Sequence, residues 1–310
     1  MKEIAADLKR WRDRGDEQVA VATVVATRGS APRPIGSKLA ISKQGELAGS
    51  VSGGCVENEV YEEARAVLGG APPKLLSYGI SDEQAWSVGL PCGGEIDVFV
   101  EEMNLRDAEE LVARIDRGER FSRTTVLDES GKEFVEEFGP PPLLLVFGAV
   151  DTAEALCRAA KQLGWRTVVA DARAKFATVE RIPSADALIV EWPEEVLVQV
   201  EPDAGTAVVV LTHENRFDIP ALIGSLRSEA FYVGALGARR NQERRRARLL
   251  EEGLSEGEID RIAGPVGLDI GAESPAETAV SILGEILAVR AGRDGGRLKA
   301  SKGRIHVEVS

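Results

Sequence analysis

The chain has 310 residues, 44% of them apolar and 29% charged, with a net charge of −13. That is enough chain and enough apolar content for two globular domains with real cores. An acidic chain without a basic block excludes nucleic acids and anionic membrane surfaces as ordinary partners.

The first element is an amphipathic helix over residues 3–13, with Ile4, Leu8 and Trp11 on one face. Val19 to Ala26 is a β-branched strand, followed by a loop of turn formers, Thr27 to Pro34. Lys38 to Ser42 and Glu46 to Ser50 flank Lys43-Gln44-Gly45 as a hairpin. Then comes Gly49-Ser-Val-Ser-Gly-Gly-Cys-Val-Glu57. Ser52, Gly53 and Gly54 turn the backbone and bring Cys55 onto the first turn of a helix that runs to Leu68. Glycine allows close backbone approach, and a helix N-terminus offers free N–H groups and partial positive charge. A thiol placed there ionises more readily. The expectation is an anion-cradling turn with a reactive sulfur at its edge; the plain alternative is a strand–turn–helix corner with a buried small residue.

Leu75 to Tyr78 is a short strand, and a long loop from Gly79 to Gly94 precedes the strand Ile96 to Glu101. A loop of that length in a compact domain is usually functional or disordered, and its Trp, Cys and glycines argue against disorder. Leu105 to Asp116 is an amphipathic helix; Arg123 to Leu127 and Lys132 to Phe138 form a hairpin. Gly139-Pro-Pro-Pro142 breaks the pattern. The expected division is residues 1–139, residues 143–292, and a tail over 293–310.

Beyond the prolines the period changes. Leu143 to Phe147 is a continuous apolar run, as in a strand buried on both faces. Strand-like runs at Thr167 to Ala170, Ala187 to Val190, Ala207 to Leu211 and Phe231 to Val233 alternate with helical stretches at Ala153 to Leu163, 194–200 and 218–227. This alternation predicts a Rossmann-like, doubly wound parallel sheet after a mixed α+β domain. Ser274, Pro275 and Glu277 form a capping box for a helix whose apolar stripe is Ala279, Ile282, Leu283, Ile286 and Leu287. Residues 304–309 read as a terminal strand or as disorder.

In the second domain the first turn, Gly148-Ala-Val-Asp-Thr-Ala153, stands where a G-x-G-x-x-G/A fingerprint belongs. Val150 replaces the glycine that lets a pyrophosphate approach, and Asp151 adds negative charge where phosphates would sit. NAD(P) is therefore a weak expectation, although Asp171 ends strand two where an acid would hold a ribose hydroxyl. His213 follows strand four. Gly234-Ala-Leu-Gly237 opens a helix that starts near Arg239, which offers amides and a counter-charge to an anion. In the first domain Ser30 and Arg33 lie in one loop, Ser52, Gly53, Gly54 and Cys55 in a second, and Cys92, Gly93 and Gly94 in a third. Should these loops share one end of the sheet, they make a pocket with two thiols, suited to a soft metal or to carrying sulfur. Two histidines and no zinc-like spacing predict no metal site of the protein's own. Three free thiols, with Cys157 as core, and no secretory leader place the protein in the cytoplasm.

The segments GSAPRPIGSKLAI, GSVSGGCVENEV, GISDEQAWSVGLPCGGEIDVFVE, LTHENRFD, FYVGALGARR and GPVGLDIGAESPAETAVSILGEI resemble the XdhC/CoxI family across nearly the whole chain. Those are accessory proteins that mature molybdenum hydroxylases such as xanthine dehydrogenase and carbon monoxide dehydrogenase. The resemblance implies an XdhC domain followed by a Rossmann domain. It also implies binding of the molybdenum cofactor, help with its sulfuration, and insertion into a partner apo-enzyme. A homodimer and a cysteine desulfurase as further partner are expected with it. Where the family usually reads GAGHVA, this chain lacks the second glycine and the histidine. Two other readings stand beside it: an oxidoreductase using NAD(P) or flavin on the Rossmann domain, and a structural adaptor in which the glycine turns only shape the fold.

Overall fold

The β-branched stretch near the start is apolar on both its faces because it becomes the middle of a sheet covered on both sides. In the computed structural model, which describes residues 1–29, 31–79 and 94–300, it is strand β1 (Gln18–Arg28). The chain divides into two compact units, Met1–Pro140 and Pro141–Ala300.

The first unit begins with a short 3-10 turn (Lys2–Ile4) and helix α1 (Ala5–Asp13). After β1 come β2 (Lys38–Ser42), β3 (Leu47–Gly49), α2 (Glu57–Leu68), β4 (Lys74–Tyr78), β5 (Glu95–Asn104) and α3 (Leu105–Asp116). A separate hairpin, β6 (Phe121–Val126) and β7 (Glu133–Phe138), ends the unit. The five-stranded sheet has order β3-β2-β1-β5-β4 with every pairing antiparallel. Alternation then sorts the side chains. Ala20, Ala22 and Val24 of β1 and Ile96, Val98 and Val100 of β5 meet Val60, Ala64 and Val67 of α2. Val19 and Val21 point the other way, into a cluster with Leu8, Trp11, Ala108 and Leu111. Trp11, Leu8 and Ile4 are fully buried, each worth about 1.5–3 kcal/mol of burial.

The second unit runs β8 (Leu143–Phe147), α4 (Asp151–Gln162), β9 (Arg166–Ala170), β10 (Ala187–Ile189), α5 (Pro193–Val200), β11 (Thr206–Val210), α6 (Asn215–Arg227), β12 (Tyr232–Ala235), α7 (Arg239–Glu251), α8 (Glu256–Ile259), β13 (Ile262–Ala263) and α9 (Pro275–Arg290). Its sheet, order β10-β9-β8-β11-β12-β13, is parallel throughout. One face packs on α4 and α9 through Leu156, Cys157, Ile282 and Ile286. The other packs on α5, α6 and α7 through Val196, Leu222 and Leu249. This is the Rossmann-like doubly wound sheet that the strand–helix alternation predicts. Strand β13 has no sequence signature, because two residues carry no period. Leu287, placed on the α9 stripe by its spacing, stays 39% exposed.

Candidate functional site

Strand direction decides where the first unit's loops gather. Arg28 pairs with Glu95, Tyr78 with Ile96 and Leu39 with Gly49. The exits of β1, β3 and β4 and the entries of β2 and β5 therefore lie along one edge of the sheet. That edge carries the loop with Arg33, the turn with Cys55, and Gly94. Ser30, Cys92 and Gly93, like residues 80–91 and the tail from 301, lie outside the described residues.

The Cys55 turn differs from its sequence expectation in two respects. First, Cys55 is not on the first helical turn. Helix α2 begins at Glu57 with Val56 as N-cap, so Cys55 stands one residue before the cap. Second, the amides are not an open anion cradle, because the chain fills it with its own carboxylate. Glu57 accepts from Ser50 Oγ (2.7 Å), Ser52 N (2.9 Å), Gly54 N (2.8 Å) and Ser52 Oγ. Ser50 Oγ accepts from Gly53 N, and Ser52 Oγ accepts from Cys55 N and Val56 N. Burial alone raises the Glu57 carboxyl; the hydrogen bonds from Ser52, Ser50 and the amides outweigh it and hold it at about 2. The turn is thus a rigid, internally neutralised tip. Gly53 and Gly54, with φ of +74° and +111°, are exposed, and a Cβ on either would meet nothing within 4 Å. Cys55 is half-buried and packs, with Ala31 and Tyr78, against the α2 core. Arg33 is turned inward, donating to Glu3 Oε2 at 2.5 Å.

In the second unit all strand C-termini share one edge, where ligands of open α/β sheets bind. Gly148, with φ +110°, is held against the loop after β11: a Cβ there would lie 2.7 Å from Thr212 Cγ2 and 3.1 Å from its backbone nitrogen. Asp171, expected to face a ribose, is engaged within the protein. Its Oδ2 accepts from Ala149 N (3.1 Å), and both oxygens accept from the Arg173 guanidinium (2.8 Å each). Burial raises the Asp171 carboxyl, but Arg173 and the amides pull it below its usual value. Arg173 also reaches Glu214 at 2.7 Å. Since β9, β8 and β11 are neighbours in that order, the Asp171–Arg173–Glu214 chain straddles the first glycine turn.

His213 is exposed in the loop after β11. Gly234 is not in the turn after β12; it is inside that strand, paired with Val209 and Ala263, and a Cβ there would press on Val266 and Tyr232. Gly237, with φ +132°, does make the turn, and Arg239 is the exposed first residue of α7. Beneath them lies a buried network that sequence reasoning misses. Asp218 accepts from Thr212 Oγ1 and from Arg245 (3.0 Å); Arg245 donates on to Leu236 O and Gln242, and Gln242 donates to Ala235 O and Gly237 O. It ties the loops after β11 and β12 together. Arg245 hides among five other arginines of α7, so no spacing singles it out. Glu57 is in plain view in the sequence, but only the folded turn shows that it bends back.

Fold and site together define a two-unit α/β protein with an antiparallel unit bearing a braced thiol tip and a Rossmann-like unit whose fingerprint crevice is latched from inside. Residues 144–286 match the family described as XdhC Rossmann domain, and residues 11–79 match the XdhC and CoxI family. The chain belongs to the XdhC/CoxI family. It is 28% identical to a Bacillus subtilis protein named as a probable xanthine dehydrogenase subunit, over 88% of this chain and 94% of that one. It is also 28% identical to the Escherichia coli protein named molybdenum cofactor insertion chaperone PaoD, over 86% and 82%. A crystal structure titled a xanthine dehydrogenase from Bacillus halodurans superposes with a TM-score of 0.74 over 96% of this chain and 98% of that one, at 24% identity; that likeness speaks to the fold alone.

Proposed function

We propose that the chain binds the molybdenum cofactor as cargo and assists its insertion into an apo molybdenum hydroxylase of the xanthine dehydrogenase or carbon monoxide dehydrogenase type. Similarity along most of its length to a protein named a cofactor insertion chaperone supports this. The observation on the molecule that carries it is the Cys55 tip: a half-buried thiol beside two exposed glycines, on a turn stiffened by Glu57. Such a tip lets a bulky guest approach the sulfur without side-chain obstruction. The thiolate is a soft donor for the metal centre.

In sulfuration, the Cys55 thiolate takes the terminal sulfur of a cysteine desulfurase persulfide, and the desulfurase cysteine leaves as thiolate. Arg33 and Gly94 border the same edge; Ser30, Cys92 and Gly93 are proposed as further residues of the site. At the second unit's carboxyl edge, the Gly237 turn, Arg239 and His213 are proposed to hold an anionic group. Action in the cytoplasm as a homodimer belongs to the same reading. The oxidoreductase alternative is disfavoured by Val150 and by the engagement of Asp171 with Arg173 and Ala149.

The test loads wild-type and Cys55→Ala protein with molybdenum cofactor and measures molybdenum retained through gel filtration and activation of the apo-hydroxylase. Loss of both in the variant is expected. Equal retention and activation remove the thiol from the mechanism.

A further inference from the structure

Helices α5 and α6 lie side by side on one face of the second sheet. Gly224 lets them close up: a Cβ there would overlap Leu197 Cδ1. Outside that contact runs a groove of about 800 Å³, whose apolar lining includes Leu197 and Val198 of α5 and Ile219 and Ile223 of α6. Val198 is 77% exposed. Trp192, the N-cap of α5, extends the apolar surface; it is 45% exposed, with its ring 5.0 Å from that of Phe217.

Helical spacing sets the charges on this groove. Arg216, Ile219, Ile223 and Arg227 recur at steps of three and four, so they form one stripe of α6 with a cation at each end. A rise of about 1.5 Å per residue puts the two arginines roughly 16 Å apart, about three turns. Both are exposed. Arg216 pairs with Glu214 at 2.8 Å on the surface, a bond of little net worth that an incoming acid can replace. Arg227 feels Glu258 from beyond ion-pair distance. On the α7 side Arg248 and Glu252 pair with each other at 3.0 Å, and Glu194 is the acid that α5 adds. The stripe is thus cationic at both ends on a chain of net charge −13.

An apolar trough about three helical turns long, with an arginine at each end, complements an amphipathic helix of that length carrying Asp or Glu at both ends. Other occupants fit less well. A second copy meeting this face through a two-fold axis sets the arginine-tipped stripes against each other. Nucleic acids and anionic membranes are repelled by the charge of the whole chain. The geometry points to the α5–α6 groove as the docking surface for an acidic amphipathic helix of the client apo-hydroxylase. The identity of the partner rests on the insertion reading above; the surface and the chemistry of its occupant go beyond it. Helices α5 and α6 follow β10 and β11, so the Arg216 end of the groove opens at the carboxyl edge that carries His213. A helix seated in the groove brings the client to that edge.

The affinity of the full-length protein for the apo-hydroxylase is measured by biolayer interferometry, with Val198→Glu and Arg227→Glu as variants. Both side chains are exposed, so the thermal midpoint is expected not to fall and cofactor retention to stay as in wild type. Each variant is expected to weaken the complex more than about tenfold. Added salt is expected to weaken the wild-type complex, and the Arg227→Glu complex less steeply; Arg227→Lys, which keeps a cation, is expected to retain most of the affinity. No complex with wild type, or an unchanged complex in either variant, overturns the docking surface. So does a change in the protein's own oligomeric state on Val198→Glu, which makes the groove a self-interface. If wild type and both variants bind and activate the hydroxylase equally, the docking surface falls alone. If the variants lose the complex while wild type retains no molybdenum cofactor, the cofactor reading falls and the docking surface stands.

Discussion

Glu57 organises the first unit's tip through one carboxylate, accepting from Ser50, Ser52 and Gly54 around Cys55. Its folded value of about 2 lies below its ordinary 4.5. A depressed carboxyl contributes its full stability above the unfolded value and loses it as pH falls through the folded one. The contribution is therefore complete above pH 4.5 and fades between 4.5 and about 2. Urea unfolding of wild type and Glu57→Gln across that window is expected to show wild type converging on the variant toward the acid end. At neutral pH, Glu57→Ala is expected to cost about 2 kcal/mol, because Ser52 is left buried without its acceptor. Thiol chemistry separates two sulfurs in the same way. Burial pushes Cys157 up to about 12, so in a Cys92→Ser background one equivalent of maleimide is expected to label Cys55 in the native protein. Cys157 is expected to react only after unfolding; native labelling of Cys157 contradicts its place in the core. The sequence shows the glycines and the cysteine of this tip plainly. It hides the capture of the amides by Glu57, because i to i−5 reach depends on backbone turns that only tertiary packing sets.

Elements with a strong local signature are legible in the sequence; those defined by partners are not. Helix α3 begins and ends where its periodicity says, and the capping box of α9 forms as its spacing predicts, with Ser274 Oγ accepting from Glu277 N and Glu277 accepting from Ser274 N. Ser274→Ala is expected to lower stability by about 1 kcal/mol, measured by thermal unfolding. Gly49 shows the opposite case. It ends β3 with φ +81°, and a Cβ there would overlap the Lys38 carbonyl oxygen. That backbone contact cannot swing away, so Gly49→Ala is expected to cost more than the roughly 1 kcal/mol of an unstrained left-handed position. Gly234 misleads because a Gly–x–x–Gly run looks alike as a turn or as a strand end. Only the pairing to Val209 and Ala263 distinguishes them, and its lack of a Cβ serves packing against Tyr232 and Val266.

At the scale of the whole molecule, topology and ligand part company. The second unit has the Rossmann-like strand order, yet the residues that would greet a dinucleotide are turned on one another. Val150 occupies the second glycine position, Ala149 N is spent on Asp171, and Arg173 ties Asp171 to Glu214 above the turn. A dinucleotide would have to break a buried ion pair before its ribose met the acid, and the carboxylate left behind would be stripped of a charged partner. A ligand that binds only the folded state stabilises it by RT ln(1 + [L]/Kd), about 2.7 kcal/mol at a hundredfold excess over Kd. NAD(H) and NADP(H) at millimolar concentration are therefore expected to leave the thermal midpoint of wild-type protein unmoved. Arg173→Ala opens the crevice but leaves Asp171 nearly buried with only the backbone amides of Ala149 and residue 173 and no cation, so it is expected to lower the midpoint in the absence of ligand. A rise in the wild-type midpoint with either nucleotide would show that the Arg173 latch opens at little cost and would restore a nucleotide to the second unit.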